Sequence, residues 1–101
     1  MASIRIINRQ RRREFLVKKY KKIRDSLRIR IKNSSFTIKE KLHVQFLLQK
    51  LPKDSNPCRL RKRCFITGRG RGVYRTVGLC RNMFRLYAMN GDIPGIRKSS
   101  W

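Results

Sequence analysis

Apolar residues recur along the first third of the chain with a helical beat. Leu16, Tyr20, Ile23, Leu27 and Ile31 follow one another at spacings of four, three, four and four. That repeat places side chains on one face of an α-helix. The positions between them are mostly Lys and Arg, so the pattern predicts a basic helix over residues 8–32. Asn33-Ser34-Ser35 interrupts it. Thr37-Ile38-Lys39-Glu40 then has the spacing of a capping box, in which a Thr hydroxyl and a Glu carboxylate satisfy the first backbone N–H groups of a helix. A second helix is predicted over residues 38–50, with Leu42, Val44, Phe46, Leu47, Leu48 and Leu51 read mostly as core.

The texture changes at residues 51–57, Leu-Pro-Lys-Asp-Ser-Asn-Pro, where two prolines stop the helix and predict a linker. Beyond it Arg59, Arg61, Lys62 and Arg63 lead into Arg69, Arg71 and Arg75, threaded between Gly68, Gly70 and Gly72. Glycine permits tight turns, and the guanidinium fork suits phosphate and base edges. Phe65 and Tyr74 lie among them as surfaces on which unpaired bases can stack. A last helix is predicted over about residues 79–90, with Leu79, Met83 and Leu86 as its apolar stripe and Gly91 as its C-terminal cap. Arg81 and Arg85, four apart, share another face. The tail from Asp92 to Trp101 reads as extended and basic, with Arg97 and Lys98 in it and Trp101 packed against the protein in preference to stacking on RNA. The fold class is mainly α with irregular, extended segments. Residues 1–50 form a basic helical extension, and residues 51–101 form a Gly/Arg-rich turn module with a C-terminal helix and tail.

Charge decides what this architecture is for. The 101 residues include 28 Lys and Arg against 5 Asp and Glu, a net charge of +23. Self-repulsion at that density opposes compaction, and so short a chain buries little apolar surface to offset it. A polyanion is the expected partner, nucleic acid first and an anionic membrane surface second. The apolar runs are only a few residues long, so no segment is expected to span a bilayer. The Arg-rich, acid-poor beginning has the composition of a transit peptide, but it also reads as the start of a helix continuing past residue 20. Three cysteines with no secretory signal predict free thiols and a reducing compartment.

Catalysis finds no footing. The carboxylates Glu14, Asp25, Glu40, Asp54 and Asp92 are dispersed, and His43 is the only histidine, placed on the second helix as a partly exposed structural residue. No nucleophile–base set assembles from them. Within residues 58–83 three signals compete. Cys64 and Cys80 flank a Gly-rich turn as in a zinc knuckle, but Thr67 and Met83 stand where further ligands would fall, and Cys58 is poorly spaced. Structural zinc wants four thiolate or imidazole ligands, so no metal and no cofactor is expected. The run Gly-Arg-Gly-Arg-Gly lacks the spacing and terminal Lys-Ser/Thr of a phosphate-binding loop. Clustered Arg, flexible Gly and interleaved aromatics fit RNA best.

These residues bring a family into view. Leu51-Pro52, Asp54-Ser55, Pro57, Arg63-Cys64, Thr67-Gly68-Arg69, Tyr74-Arg75, Gly78-Leu79, Ile93-Pro94-Gly95 and Lys98-Ser99-Ser100-Trp101 resemble the small-subunit ribosomal protein S-fourteen family. The likeness is dense over residues 51–101 and weaker but colinear before that, so no cleaved peptide is expected within the chain. The short form of that family binds zinc through cysteines at the positions of Cys64, Thr67, Cys80 and Met83. This chain keeps two of the four and has the long N-terminal half, so it resembles the longer zinc-free form. Gly70, where many relatives have proline, is expected to loosen its loop.

The resemblance implies a structural constituent of the small subunit, set against the 3′ major (head) domain of the small-subunit ribosomal RNA and supporting head assembly and translation. It implies neighbours from the S-three, S-ten and S-nineteen families, no membrane partner, no homo-oligomer and no catalysis. Arg59, Arg61, Arg63, Arg69, Arg71 and Arg75 are the expected phosphate-holding set, with Arg81, Arg85, Arg97 and Lys98 as a second. Ile- and Phe-rich usage beside the Lys/Arg excess hints at an AT-rich genome. The expected compartment is therefore a mitochondrial ribosome, with a plastid or bacterial one as the alternative. The competing class is a free-standing basic nucleic-acid-binding or membrane-surface peptide with no fixed particle.

Overall fold

The computed structural model describes residues 1–99, so the expected packing of Trp101 lies outside the described residues. Three α-helices account for most of the regular structure: α1 over Ile4–Lys32, α2 over Ile38–Lys50 and α3 over Arg81–Met89. Irregular segments and two short 3₁₀ turns connect them, as the mainly α expectation requires. Residues 8–60 form one compact unit, and residues 1–7 together with the described residues from 61 onward form another. Among the described residues no helix is long and apolar enough to cross a membrane.

α1 begins at Ile4, ahead of the stripe that predicted it. The Ser3 carbonyl accepts the Ile6 and Ile7 N–H groups at 3.0 and 3.2 Å. The residues that follow are good helix formers with nothing to break the ladder. The inward face of the helix also differs from the apolar spacing. Leu27 is buried and Leu16, Tyr20 and Ile31 are half-buried, but Ile23 is exposed and Arg24 takes the inward place beside it, 8% exposed. A buried guanidinium is tolerated only where acceptors meet it. Here Ser55 Oγ and the Pro52 carbonyl do so, at 2.9 and 3.1 Å.

That contact overturns the reading of residues 51–57 as a linker. Pro52 opens a 3₁₀ turn over Lys53–Ser55, and Ser55 is fully buried. Its hydroxyl accepts from Arg24 and donates to the Pro52 carbonyl. A second 3₁₀ turn over Pro57–Arg59 is capped by Asn56, whose Oδ1 accepts the Cys58 N–H at 3.2 Å. The prolines that forbid an α-helix have the fixed φ that such turns use, so the segment is packed rather than slack.

α2 starts at the predicted capping box. Thr37 Oγ1 accepts from the Glu40 N–H at 3.5 Å, and Glu40 Oε2 accepts from the Thr37 N–H at 2.8 Å. Its apolar residues do not all face inward. Val44 is buried and Leu47, Leu48 and Leu51 are half-buried, whereas Leu42 and Phe46 are 59% and 53% exposed. At 100° per residue the first set gathers on one side of the helix and the second falls on the other.

α3 begins two residues later than its stripe suggests, because backbone pairing claims the residues before it. The Leu79 carbonyl accepts the Tyr74 N–H at 2.9 Å, and Cys80 forms an isolated antiparallel bridge with Val73. At the other end Gly91 donates to the Ala88 carbonyl and Asp92 to the Tyr87 carbonyl, at 3.3 and 3.0 Å. This is the double bond of a Schellman cap.

Candidate nucleic-acid interface

The Gly/Arg-rich segment folds into two tight loops held by main-chain hydrogen bonds. In the first, Cys64 N–H donates to the Arg69 carbonyl at 2.8 Å and Gly68 N–H returns to the Cys64 carbonyl at 2.9 Å. In the second, Gly78 N–H donates to the Tyr74 carbonyl at 2.8 Å. Phe65 N–H reaches the Gly78 carbonyl at 2.9 Å and ties one loop to the other, while Arg81 N–H bonds the Gly72 carbonyl at 2.8 Å and ties α3 to the segment that joins them.

Two sulfurs lie at the centre of this knuckle. Cys64 and Cys80 are 3% and 2% exposed, and all three cysteines are free thiols, Cys58 among them exposed. Thr67 Oγ1 lies 3.8 Å from Cys80 Sγ. Burial raises the pKa of the Cys64 thiol, but hydrogen bonds from the Thr67 hydroxyl and from the backbone of Thr67, Cys80 and Ile66 outweigh it, bringing the pKa from 9.0 down to about 6. Donors aimed at a sulfur favour its thiolate. Thr67 thus performs, by hydrogen bonding, part of the holding that a ligand set would. Among the described residues no three His, Cys, Asp or Glu side chains gather as a metal-binding group.

Four of the ten expected RNA-binding residues converge. Arg61, Arg63, Arg69 and Arg71, with Gly70, line a depression of about 420 Å³ whose remaining wall is Met1, Ala2 and Ile6. Two of these arginines are tethered before any ligand arrives. Arg61 Nε donates to the Gly70 carbonyl at 2.8 Å, and Arg63 Nη1 donates to the Gly68 carbonyl at 3.1 Å. The buried Arg63 Nε has no acceptor among the described residues. Arg75, Arg81, Arg85, Arg97 and Lys98 are exposed in the same unit but do not line the depression. Arg59 belongs to the other unit, where it pairs with Asp54 at 2.8 Å; Arg13 pairs with the same carboxylate oxygen at 3.5 Å.

The wall formed by residues 1–7 is the part of the site that the pattern of residues did not reveal. Ala2 N–H donates to the Thr67 carbonyl at 3.2 Å. Gly68 has φ +71°, and a Cβ built there would stand 3.0 Å from Ile7 Cδ1. The available signal is the apolar pair Ile6–Ile7, which lies upstream of the predicted stripe. Gly70 also departs from expectation. A Cβ on it would fall 2.9 Å from Arg61 Nε, so the bare backbone lets a guanidinium fold over it and the loop gains a tether.

The two aromatics separate. Tyr74 packs on Phe84, ring centroids 5.0 Å apart and planes at 55°. Phe65 is 92% exposed.

The sequence profile of the family described as Ribosomal protein S14p/S29e matches residues 47–100. The whole chain aligns with the whole of several relatives. It is 50% identical to the small ribosomal subunit protein uS14c of Euglena longa and 50% identical to the small ribosomal subunit protein uS14 of Xylella fastidiosa. It is 46% identical to the uS14 of Alkalilimnicola ehrlichii, again over 101 residues and all of both chains.

Proposed function

The chain belongs to the ribosomal protein S14p/S29e family, and from that premise we propose that it is a structural, non-catalytic constituent of the small ribosomal subunit whose arginine-lined module holds ribosomal RNA. The observation that carries this is the depression walled by Arg61, Arg63, Arg69 and Arg71. Guanidiniums already fixed on backbone carbonyls lose little freedom when a phosphate arrives. Backbone contacts position an RNA and leave sequence readout minor, while the exposed Phe65 offers a face for one unpaired base.

The finer reading follows from the resemblance. The RNA is the 3′ major (head) domain of the small-subunit ribosomal RNA, the neighbours come from the S-three, S-ten and S-nineteen families, and the role is bracing and assembly of the head. Arg75, Arg81, Arg85, Arg97 and Lys98 extend the contact beyond the depression, and Arg59 contributes to RNA binding from its own unit. The residue usage supports a mitochondrial ribosome, with plastid and bacterial ribosomes as alternatives.

With ~8 phosphates neutralised, affinity falls with salt at a log–log slope of roughly −6 to −7. The test is sedimentation of the tagged chain from its own cells or organelles through a gradient at high monovalent salt. Co-migration with the small subunit supports shape-matched placement. Release to the top while other subunit proteins stay bound supports the general polyanion binder that a charge of +23 also fits.

A further inference from the structure

α2 carries a second apolar face that its own unit leaves bare. Ile38, Leu42 and Phe46 are 78%, 59% and 53% exposed. Spaced by four, they form one ridge about 12 Å long. The helix already fills its inward side with Val44, Leu47 and Leu48, so this ridge is surplus to the folding of the unit. Nothing in RNA binding through the knuckle uses it.

We infer that the Ile38–Leu42–Phe46 ridge is a docking face for another protein of the same particle, apolar where it meets the ridge and acidic at its rim. Charge supplies the second half of that description. By helical position, Lys39 and Lys50 flank one edge of the ridge and Lys41 the other. The single carboxylate of the helix, Glu40, points to the opposite side and is spent on the Thr37 N–H at 2.8 Å. A matching surface therefore brings its own carboxylates. RNA is a poor fit. Isoleucine and leucine offer no planar face for a base. Phe46 is the only ring on the ridge, and Lys50 Nζ already lies 4.7 Å from its centroid. A second copy of the chain is a poor fit too, since each would bring +23.

The inference rests on membership of the particle, and the experiment separates the two. Small subunits carrying the tagged chain are isolated, coupled with a carbodiimide that joins lysine amines directly to carboxylates, and mapped by mass spectrometry. The same particles are irradiated to join RNA to protein. The expected result is an amide between Lys39, Lys41 or Lys50 and an Asp or Glu of another polypeptide. Its yield falls at least threefold in Leu42→Ser particles, or in Ile38→Ser particles should the first variant not be recovered. No such amide, an unchanged yield in the variant, or photo-coupling of residues 38–46 to RNA in place of the amide overturns the docking face while the ribosomal reading stands. Absence of the chain from small subunits overturns both.

Discussion

Arg24 donates its Nε proton to Ser55 Oγ over 2.9 Å, linking the middle of α1 to a turn 31 residues further along the chain. Ser55 passes the bond on to the Pro52 carbonyl, which also accepts from Arg24 Nη2 at 3.1 Å. Two of the three guanidinium nitrogens meet acceptors here, which is what allows a charged side chain to be 8% exposed. Ser55→Ala leaves a buried guanidinium donor without its acceptor. The expected loss is about 1–3 kcal/mol, read as a lower melting temperature at high ionic strength, where self-repulsion is screened. Arg24→Met combined with Ser55→Ala recovers part of the loss, because no donor is then stranded.

The knuckle is sensitive at Gly68. Its φ of +71° is strained for any residue with a Cβ, and the added methyl meets Ile7 Cδ1 at 3.0 Å. Gly68→Ala is expected to destabilise the unit by about 1–2 kcal/mol from the backbone alone. Hydrogen exchange should show the change first at Ala2, Ile7 and Gly68, with the N–H groups of α2 unmoved.

Cys64 gives the module a pH dependence. A thiol lowered to about 6 from 9.0 stabilises the folded state in its thiolate form. The stability it contributes is complete above pH 9, where the unfolded thiol is ionised as well, and it is lost as pH falls through about 6. Unfolding by urea should therefore become harder as pH rises between these values. Cys64→Ser flattens the profile. The thiolate absorbance of the natural chain should titrate near the lower value, and a midpoint near the upper one would contradict the hydrogen-bonded sulfur.

Arginines of the depression should outweigh an exposed lysine elsewhere. Arg69→Ala and Arg71→Ala are expected to lower incorporation into small subunits, in competition with the natural chain, by several-fold more than Lys53→Ala. Arg63→Lys separates geometry from charge. It keeps the positive charge but loses the fork that bonds the Gly68 carbonyl, and it should incorporate less well than the natural chain. Equal incorporation of all four variants would show that the charge total governs binding.

What could be read in advance divides along physical lines. The capping box at Thr37, the cap at Gly91 and the arginine cluster were legible because each is a local rule satisfied by residues a few positions apart. The face of α1 was legible at Leu16, Tyr20, Leu27 and Ile31 but not at Gln10, Ile23 or Arg24, since no periodicity of apolar residues shows an arginine whose acceptors lie at Pro52 and Ser55. Leu42 and Phe46 were misplaced because a helix rich in leucine on two sides gives the same count as one with a single wide stripe. The contacts of residues 1–7 were illegible for the plainest reason, that their partners lie about sixty positions away.

That last separation sets an order of events. Ala2 and Ile7 are made long before Thr67 and Gly68, the residues that receive them. At ~5–20 residues per second the wait is roughly 3–12 s. During that interval Ile6 and Ile7 stand without their counterpart while α1 can already wind behind them. The unit containing the knuckle closes late in synthesis, when the second half of the chain comes back to a beginning that has been waiting for it.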